Sequence, residues 1–523
     1  MTDLIKFLLI FNWIVLFYTA WQYQGRNRNI YFSLLALFGA IFITRSANLL
    51  HNEPNVDTST WLNSTLTIGK ASETLWTWLN YTDGRPFTVA PLWLGSLLGM
   101  PISYMSAELI GIFLWCITLY FLAQTLQVLG WRSERVYVLI LALAGFIGTT
   151  SYGDHVGYNS EVASMWMLAL AVWMCLRWLN QPTPWIALFL GTTLGLLPYA
   201  KFQNAPMGIV IAAFAGISWI QRKNWQVVLL LLLGGLLPSL GFVLYYSSLG
   251  QLETFWNHYF LYYFYYSYTD EFSKLTTAQR FSPIRFLQLS LTHYSMRWLA
   301  AGLFTAVGLL LLHFFRKTKT ALDWLALALL LTTYYAILQS GNNFHHYALY
   351  VPYFFTLVIG IWGRDLEKSL LQKLTLLLIL FGGVQAVWNL WYRTPLPPPD
   401  HDELAHEVAQ IIKQNSDPDD RMVLWGWADR VYVYAERPMG HRYPYTIGIF
   451  YPSPLHDARV VDFLKDMEEN KPRIFVDVCG TSLTYFGSEK ERHEATPEIG
   501  TYIQQHYELL KQTENVRIYK RMR

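Results

Sequence analysis

Charge is scarce along this chain: Lys, Arg, Asp and Glu make up 14% of 523 residues, against 53% hydrophobic and 17% aromatic. Soluble domains carry about a quarter charged residues, so an ordinary water-soluble fold is excluded and the composition is that of a polytopic membrane protein. Cysteine is as sparse. Cys116 and Cys175 lie in apolar segments and Cys479 in a distant polar tail, which leaves no plausible disulfide framework or thiolate zinc cluster. Basic runs are short and the net charge is only +3, so nothing points to nucleic acid as a partner. Also missing are a GxxxxGK[ST] phosphate loop, a dinucleotide fingerprint after a strand and a nucleophile elbow, which leaves nucleotide-driven chemistry unsupported. There is no internal repeat and no low-complexity tract.

What is abundant is the long apolar run. A spanning helix needs about 20 mostly apolar residues, and roughly twelve such segments can be cut between residues 4 and 392. The first, "LIKFLLIFNWIVLFYTAW", is followed by Arg26 and Arg28 and by no small-residue cleavage site, so a retained helix is predicted rather than a signal peptide. The hinges "QYQGRNRN", "GWRSER", "RWLNQPTP", "QRKNW", "RKTKTALD" and "GRDLEKSLLQK" all carry Lys or Arg and alternate with hinges of another character. The positive-inside rule puts this basic set in the cytoplasm. The opposite set then faces out: residues 51–88, 151–161, the short "AKFQNAP", 248–297, 340–346 and everything after about residue 393. Near Pro91 to Pro101 an interfacial helix is an alternative to a span.

After the proline-rich "TPLPPPDHDE" the composition becomes that of a soluble domain. Helices are predicted in "DELAHEVAQIIKQN", "DARVVDFLKDMEEN" and "PEIGTYIQQHYELLKQ", and strands in "RMVLWGW", "PRIFVDV" and "VRIYKRM". The predicted organisation is a transmembrane domain over 1–392 and a small extracytoplasmic α/β domain over 393–523.

The polar residues able to do chemistry gather on the outer side. Glu53, Asp57, Glu73 and Asp83 lie in the first loop, Asp154, His155 and Glu161 in the second, Lys201 and Gln203 in the third, His345 and His346 in the fifth. A carboxylate at a membrane surface can take a proton from an attacking hydroxyl, and Asp57 is the first candidate; a solvated loop acid or a helix cap ahead of "TSTWLNSTLTI" is its bland counterpart. Asp83, in "TDGRP", sits in a turn pattern and is a second-rank candidate beside Glu53. Lys201 has apolar sequence on both sides and pays for desolvation unless it meets an anion or water; phosphate contact and snorkelling both answer that need. His345 and His346 point about 100° apart on a helix and lack a second ligand pair nearby, so phosphate or sugar contact outranks metal. The loop "LETFWNHYFLYYFYYSYTDEFSKLTTAQRF" and the arginines Arg280, Arg285 and Arg297 suit either an interfacial aromatic belt or a groove for a lipid chain, sugar and phosphate. Sequons stand at Asn63 and Asn80.

Taken in order and with one sidedness, the acidic first loop, "TDGRPFTVAPLWL", "LPYAKFQNAP", "HHYALYVPYF" and "DPDDRMVLWGWADRVYVYAERPMGHRYPY" make the chain resemble bacterial integral-membrane glycosyltransferases of the GT-C class, in the protein-mannosyltransferase-like and aminoarabinose-transferase-like branch. The resemblance covers nearly the whole chain. It implies a sugar donor carried on polyprenyl phosphate, a cell-envelope acceptor such as a glycan (lipopolysaccharide included), a lipid or a protein, and inverting transfer on the outer face of the inner membrane. Asp57 is then the general base, while Lys201, His345 or His346 and a loop arginine stabilise the leaving phosphate; no metal is required, and a divalent ion is left open. The family's first-loop motif commonly reads Asp-Glu, and here Thr58 stands where the Glu would be. Two rivals are a lipid-linked glycan transporter, which paired broken helices would favour, and an O-antigen ligase or polymerase.

Overall fold

The computed structural model describes residues 3–22, 29–46, 52–70, 85–150, 152–262, 265, 275–292, 307–311, 319–342, 344–364, 366, 368–392, 402–450 and 454–522. Among them seven helices are long and apolar enough to cross a membrane: Asp3–Gln22, Tyr104–Val128, Gly153–Arg177, Phe202–Gln221, Trp225–Ser248, Ala321–Leu338 and Ser369–Trp391. Ile30–Ser46 and Pro184–Ala200 are shorter apolar helices. The sequence expectation of about twelve spans is therefore not met among the described residues. Part of the difference is length: Pro86–Leu97 and Tyr350–Gly363 have 12 and 14 residues, or about 18 and 21 Å of helix, short of the roughly 30 Å hydrocarbon core.

The described chain divides into two compact units, one made of 1–49, 111–244 and 275–396, the other of 50–110, 245–274 and 397–523. In the first, α1 (Asp3–Gln22) and α2 (Ile30–Ser46) are tied by Trp13, whose indole N–H donates to Thr44 Oγ1 at 2.9 Å. The buried Arg45 near the end of α2 donates to the Ile147 carbonyl at 2.9 Å, and Asn389 donates to Thr149 Oγ1 at 3.1 Å. Phe7 meets Trp391 edge to face, with centroids 6.0 Å apart. The start of α1 thus lies beside the end of the helix Lys368–Trp391.

The helices Pro184–Ala200 and Trp225–Ser248 cross with their backbones in contact. A Cβ on Gly191 would stand 2.1 Å from the Leu231 carbonyl oxygen, one on Gly195 2.3 Å from that of Gly235, and one on Gly234 2.2 Å from that of Leu188. Small residues at such a crossing substitute backbone packing for the hydrophobic driving force that lipid does not provide. Gly191→Ala is expected to pry the pair apart and cost about 1–3 kcal/mol, read as a lower unfolding temperature in lipid nanodiscs; Ala at the neighbouring Thr192 is the control.

The second unit contains a four-stranded mixed sheet of order β1-β2-β4-β3, with β1 (Met422–Trp425) parallel to β2 (Ile474–Asp477) and β4 (Val516–Arg521) antiparallel to both β2 and β3 (Tyr507–Thr513). Alternation sorts the strands between two cores. Met422, Leu424, Ile474 and Val476 pack with Ala405, Val408 and Ile412 of the helix Glu403–Asn415; Val423, Trp425 and Phe475 pack with Phe463, Met467, Ile499 and Ile503 from His456–Asn470 and Pro497–His506. The helix expected over "PEIGTYIQQHYELLKQ" ends at His506, because the next residues pair with β4 through a two-residue turn at Glu514 and Asn515, both at positive φ (43° and 66°), the geometry of a tight hairpin.

Candidate active site

Asp57 lies on a helix, α3 (Val56–Lys70), where a polar loop was expected. Asn55 starts it, accepting from the Asp57 amide at 2.9 Å through its side chain and from Thr58 at 3.1 Å through its carbonyl. Asp57 is therefore in the first turn, half-buried, where a negative charge suits the helix dipole, and the capping is done by Asn55. All residues from Thr58 to Ile68 are buried although most are Ser, Thr or Asn. Their hydroxyls turn back on the helix: Ser64 donates to the Thr60 carbonyl at 2.9 Å and Thr65 to that of Trp61 at 2.8 Å, the local satisfaction that allows a polar helix to be buried.

The C-terminal α/β part grips α3 along its length. Thr60 donates to Asp429 Oδ2 at 2.5 Å, the Met439 amide donates to Thr67 Oγ1 at 3.1 Å, and Lys70 donates to the carbonyls of Pro418 and Glu436, both at 2.9 Å. Val56 packs with Trp427, Tyr445 and Ile447. Just before the helix, Glu53 is buried and salt-bridged to Arg430 Nη1 at 2.5 Å. Arg430 also stands 3.2 Å from Asp402 and donates to the Leu483 carbonyl at 3.1 Å; Tyr434 donates to Asp402 at 2.5 Å. Ser59 donates to Glu53 and lies 2.7 Å from the Tyr104 hydroxyl. Burial pushes the Glu53 carboxyl above its usual value, and Arg430 and Ser59 pull against it. Glu53 is thus a clasp between loop and tail, where the sequence made it a second-rank site candidate. Arg430 was not singled out; its only sequence signal was membership of the tail motif "GWADRVYVY".

In the other unit a second group forms from three hinges. Lys201 follows the helix Pro184–Ala200 directly; its ammonium donates to Ser160 Oγ at 2.8 Å, pairs with Glu161 and lies 4.6 Å from the centroid of Tyr347. The anion that Lys201 requires is therefore supplied by the protein, from a glutamate 40 residues earlier. His345 Nδ1 hydrogen-bonds the Tyr152 hydroxyl and is 3.9 Å from Asp154 Oδ2. His346 stacks on Phe344 at 5.5 Å and meets Tyr347 edge to face at 4.7 Å. Burial, with the Lys201 ammonium second, pushes the His346 imidazole down to about 3, and burial also lowers His345 against the pull of Asp154. At neutral pH His346 is a neutral donor. His155 is buried, edge-on to Tyr152 at 5.0 Å.

Other candidates fall elsewhere. Gln203 is buried in the short turn Phe202–Asn204, its side-chain oxygen without a hydrogen-bond partner among the described residues. Arg280 is buried and donates to the carbonyls of Leu275, Gln339 and Ser340 at 3.0, 3.2 and 3.3 Å, and Arg285 to that of Asn342 at 2.7 Å. These arginines close the end of Ala321–Leu338; the sequence left them open to an aromatic belt or to a groove with phosphate contact. Asn63 is fully buried in α3, which closes that sequon to a glycan. Asp83, Arg297, Glu73 and Asn80 lie outside the described residues. Among the described residues one group could share a cation, Asp477, His493 and Glu494, but His493 Nδ1 already hydrogen-bonds Asp477 at 2.6 Å and Arg517 pairs with Glu494 at 2.6 Å.

These elements, a multi-pass helical body with a small mixed sheet in its C-terminal part, form a GT-C-like fold, the fold of integral-membrane glycosyltransferases. The chain is similar to ArnT from Cupriavidus metallidurans bound to undecaprenyl phosphate, with TM-score 0.56 and 12% identity over 93% of this chain and 97% of that one. The apo state of the same protein matches with TM-score 0.53 and 11% identity over 94% and 98%. The Archaeoglobus fulgidus oligosaccharyltransferase tethered with an acceptor peptide containing the NVT sequon gives TM-score 0.47 and 11% identity over 86% of this chain and 68% of that one. No family model matches the sequence, and no curated protein matches it.

Proposed function

We propose that the chain is a membrane glycosyltransferase that moves a sugar from a polyprenyl-phosphate donor to a hydroxyl of a cell-envelope acceptor (glycan, lipid or protein) on the outer face of the inner membrane. The observation that carries this reading is a fold match along 93% of the chain to a protein whose structure holds undecaprenyl phosphate. In this reading residues 1–392 do the chemistry and 393–523 face the extracytoplasmic side.

Asp57 takes the proton of the acceptor hydroxyl. The oxygen attacks the anomeric carbon as the bond from that carbon to the phosphate oxygen breaks, so the sugar is inverted and the polyprenyl phosphate leaves with the electron pair. Charge grows on the phosphate in this step, and fixed donors aimed at growing charge supply a large share of such catalysis. Lys201 is assigned that work, with His345 and His346 as neutral donors. Glu161 holds the ammonium in place, and the Tyr347 ring covers one side of it.

The test uses the purified full-length protein in nanodiscs with polyprenyl-phosphate sugars and envelope acceptors. Transfer with inversion is expected, and a failure to transfer from any lipid-linked donor, with bound lipid carried across instead, would establish the transporter. Lys201→Ala is expected to lower kcat by about 10²-fold, the loss seen when one charge-stabilising donor is removed. Lys201→Arg, which keeps a cation for Glu161, separates donor chemistry from folding; wild-type rates in both variants leave Lys201 a structural partner of Glu161.

A further inference from the structure

The aromatic loop contributes Tyr262 to an arrangement that the proposed transfer does not use. Arg459, on the helix His456–Asn470, is 2% exposed, and its guanidinium carbon stands 3.7 Å from the centroid of Tyr262 and 5.1 Å from that of Tyr443. One edge of the guanidinium is pressed on the backbone at Gly448, where a Cβ would come within 1.4 Å of Nη1. The other edge carries Nε and Nη2, and neither has a hydrogen-bond partner among the described residues.

Those two N–H groups are the side-on fork of arginine, matched to two oxygens of one carboxylate or phosphate. Arg442 shows the fork filled: Nε donates to Asp466 Oδ2 at 2.9 Å and Nη2 to Oδ1 at 2.7 Å. The other nearby carboxylate, Asp462, is also committed, accepting from Tyr443 at 3.0 Å and lying 3.4 Å from Arg442 Nη1 and 3.7 Å from His258 Nε2. A buried cation is ordinarily paired and hydrogen-bonded, and a ring face compensates only part of its lost hydration.

We propose that the Arg459 fork, with Tyr262 as its platform, binds a phosphate group presented by a ligand. A guanidinium charge that the rings compensate only in part favours the more highly charged of the two oxyanions that fit it. The site lies in the unit holding the C-terminal α/β part and stands whether or not the chain transfers sugar.

The experiment titrates inorganic phosphate into full-length protein in phosphatidylcholine nanodiscs at constant ionic strength, by calorimetry and by thermal unfolding. Wild type is expected to bind phosphate and to unfold at a higher temperature with it. Arg459→Met is expected to weaken binding at least tenfold and to raise the unfolding temperature without phosphate, because an unpaired buried charge has been removed. Arg459→Lys keeps the charge without the fork and is expected to lose the same affinity. Repeating the unfolding in nanodiscs containing phosphatidic acid separates the sources: an Arg459-dependent rise there assigns a lipid headgroup, and a response to inorganic phosphate alone assigns a soluble ligand. Unchanged phosphate affinity in both Arg459 variants would overturn the proposal, as would a lower unfolding temperature of Arg459→Met without phosphate.

Discussion

Arg430→Ala is expected to destabilise the protein by about 3–5 kcal/mol, the cost of removing one partner from a buried ion pair. The substitution leaves Glu53 and Asp402 as two buried carboxylates, 7% and 3% exposed, with no cation between them. It also strips the Leu483 carbonyl of its donor. Thermal or denaturant unfolding in nanodiscs measures the loss. The double variant Glu53→Gln, Arg430→Met is expected to recover much of it, since it removes both charges together, and a double-mutant cycle isolates the coupling. A second effect follows from position: Glu53 lies four residues before Asp57, and Thr60, one turn after it, is held by Asp429. Below its unfolding temperature Arg430→Ala is therefore expected to transfer sugar more slowly than wild type, with kcat affected more than KM. An unfolding temperature within a degree of wild type would remove the clasp from the account of stability.

Asp57→Asn is expected to lower transfer by about 10²–10⁴-fold, the range over which a positioned general base contributes. The amide keeps the size of the side chain and most of its packing but cannot accept the proton. Because the first helical turn favours a negative charge, the same change costs about 0.3–1 kcal/mol of stability, too little to mimic a catalytic loss through unfolding. Asp57→Glu is the companion variant: it retains a base one methylene further out and is expected to keep more activity than Asn. Transfer at the wild-type rate by Asp57→Asn would end the base assignment and leave the residue a helix-terminal charge.

The C-terminal part was largely legible in advance. Short apolar runs bounded by polar residues located β1, β2 and β4, and a 3.6-residue rhythm located the helices Glu403–Asn415 and His456–Asn470. The strand β3 escaped because "YELLKQ" has good helix formers, and only its pairing with β4 overrides that preference. In the membrane part the long apolar runs were readable, and among the described residues seven of them are helices long enough to span. The need of Lys201 for an anion was also readable from its apolar flanks, but the identity of that anion was not, because Glu161 comes from a different helix. The same limit applies more strongly to Glu53. An acid after an oily helix reads as solvated until its partner is known, and that partner is 377 residues away. Arg280 shows the same limit for a cation: in an aromatic loop it reads as suited to a belt or to phosphate, and the carbonyls it donates to lie 59 and 60 residues away.

The distance between Glu53 and Arg430 also sets a schedule. Synthesis at about 5–20 residues per second places roughly 20–75 s between the emergence of one and the other. Through that interval the segment carrying Asp57 has been made but lacks Arg430, Asp429 and Trp427, and the Thr60 hydroxyl lacks the carboxylate that accepts from it. The residue assigned to the chemistry is therefore put in place late, when the tail arrives, and a chain interrupted before residue 430 would carry the acid without the surroundings that hold it.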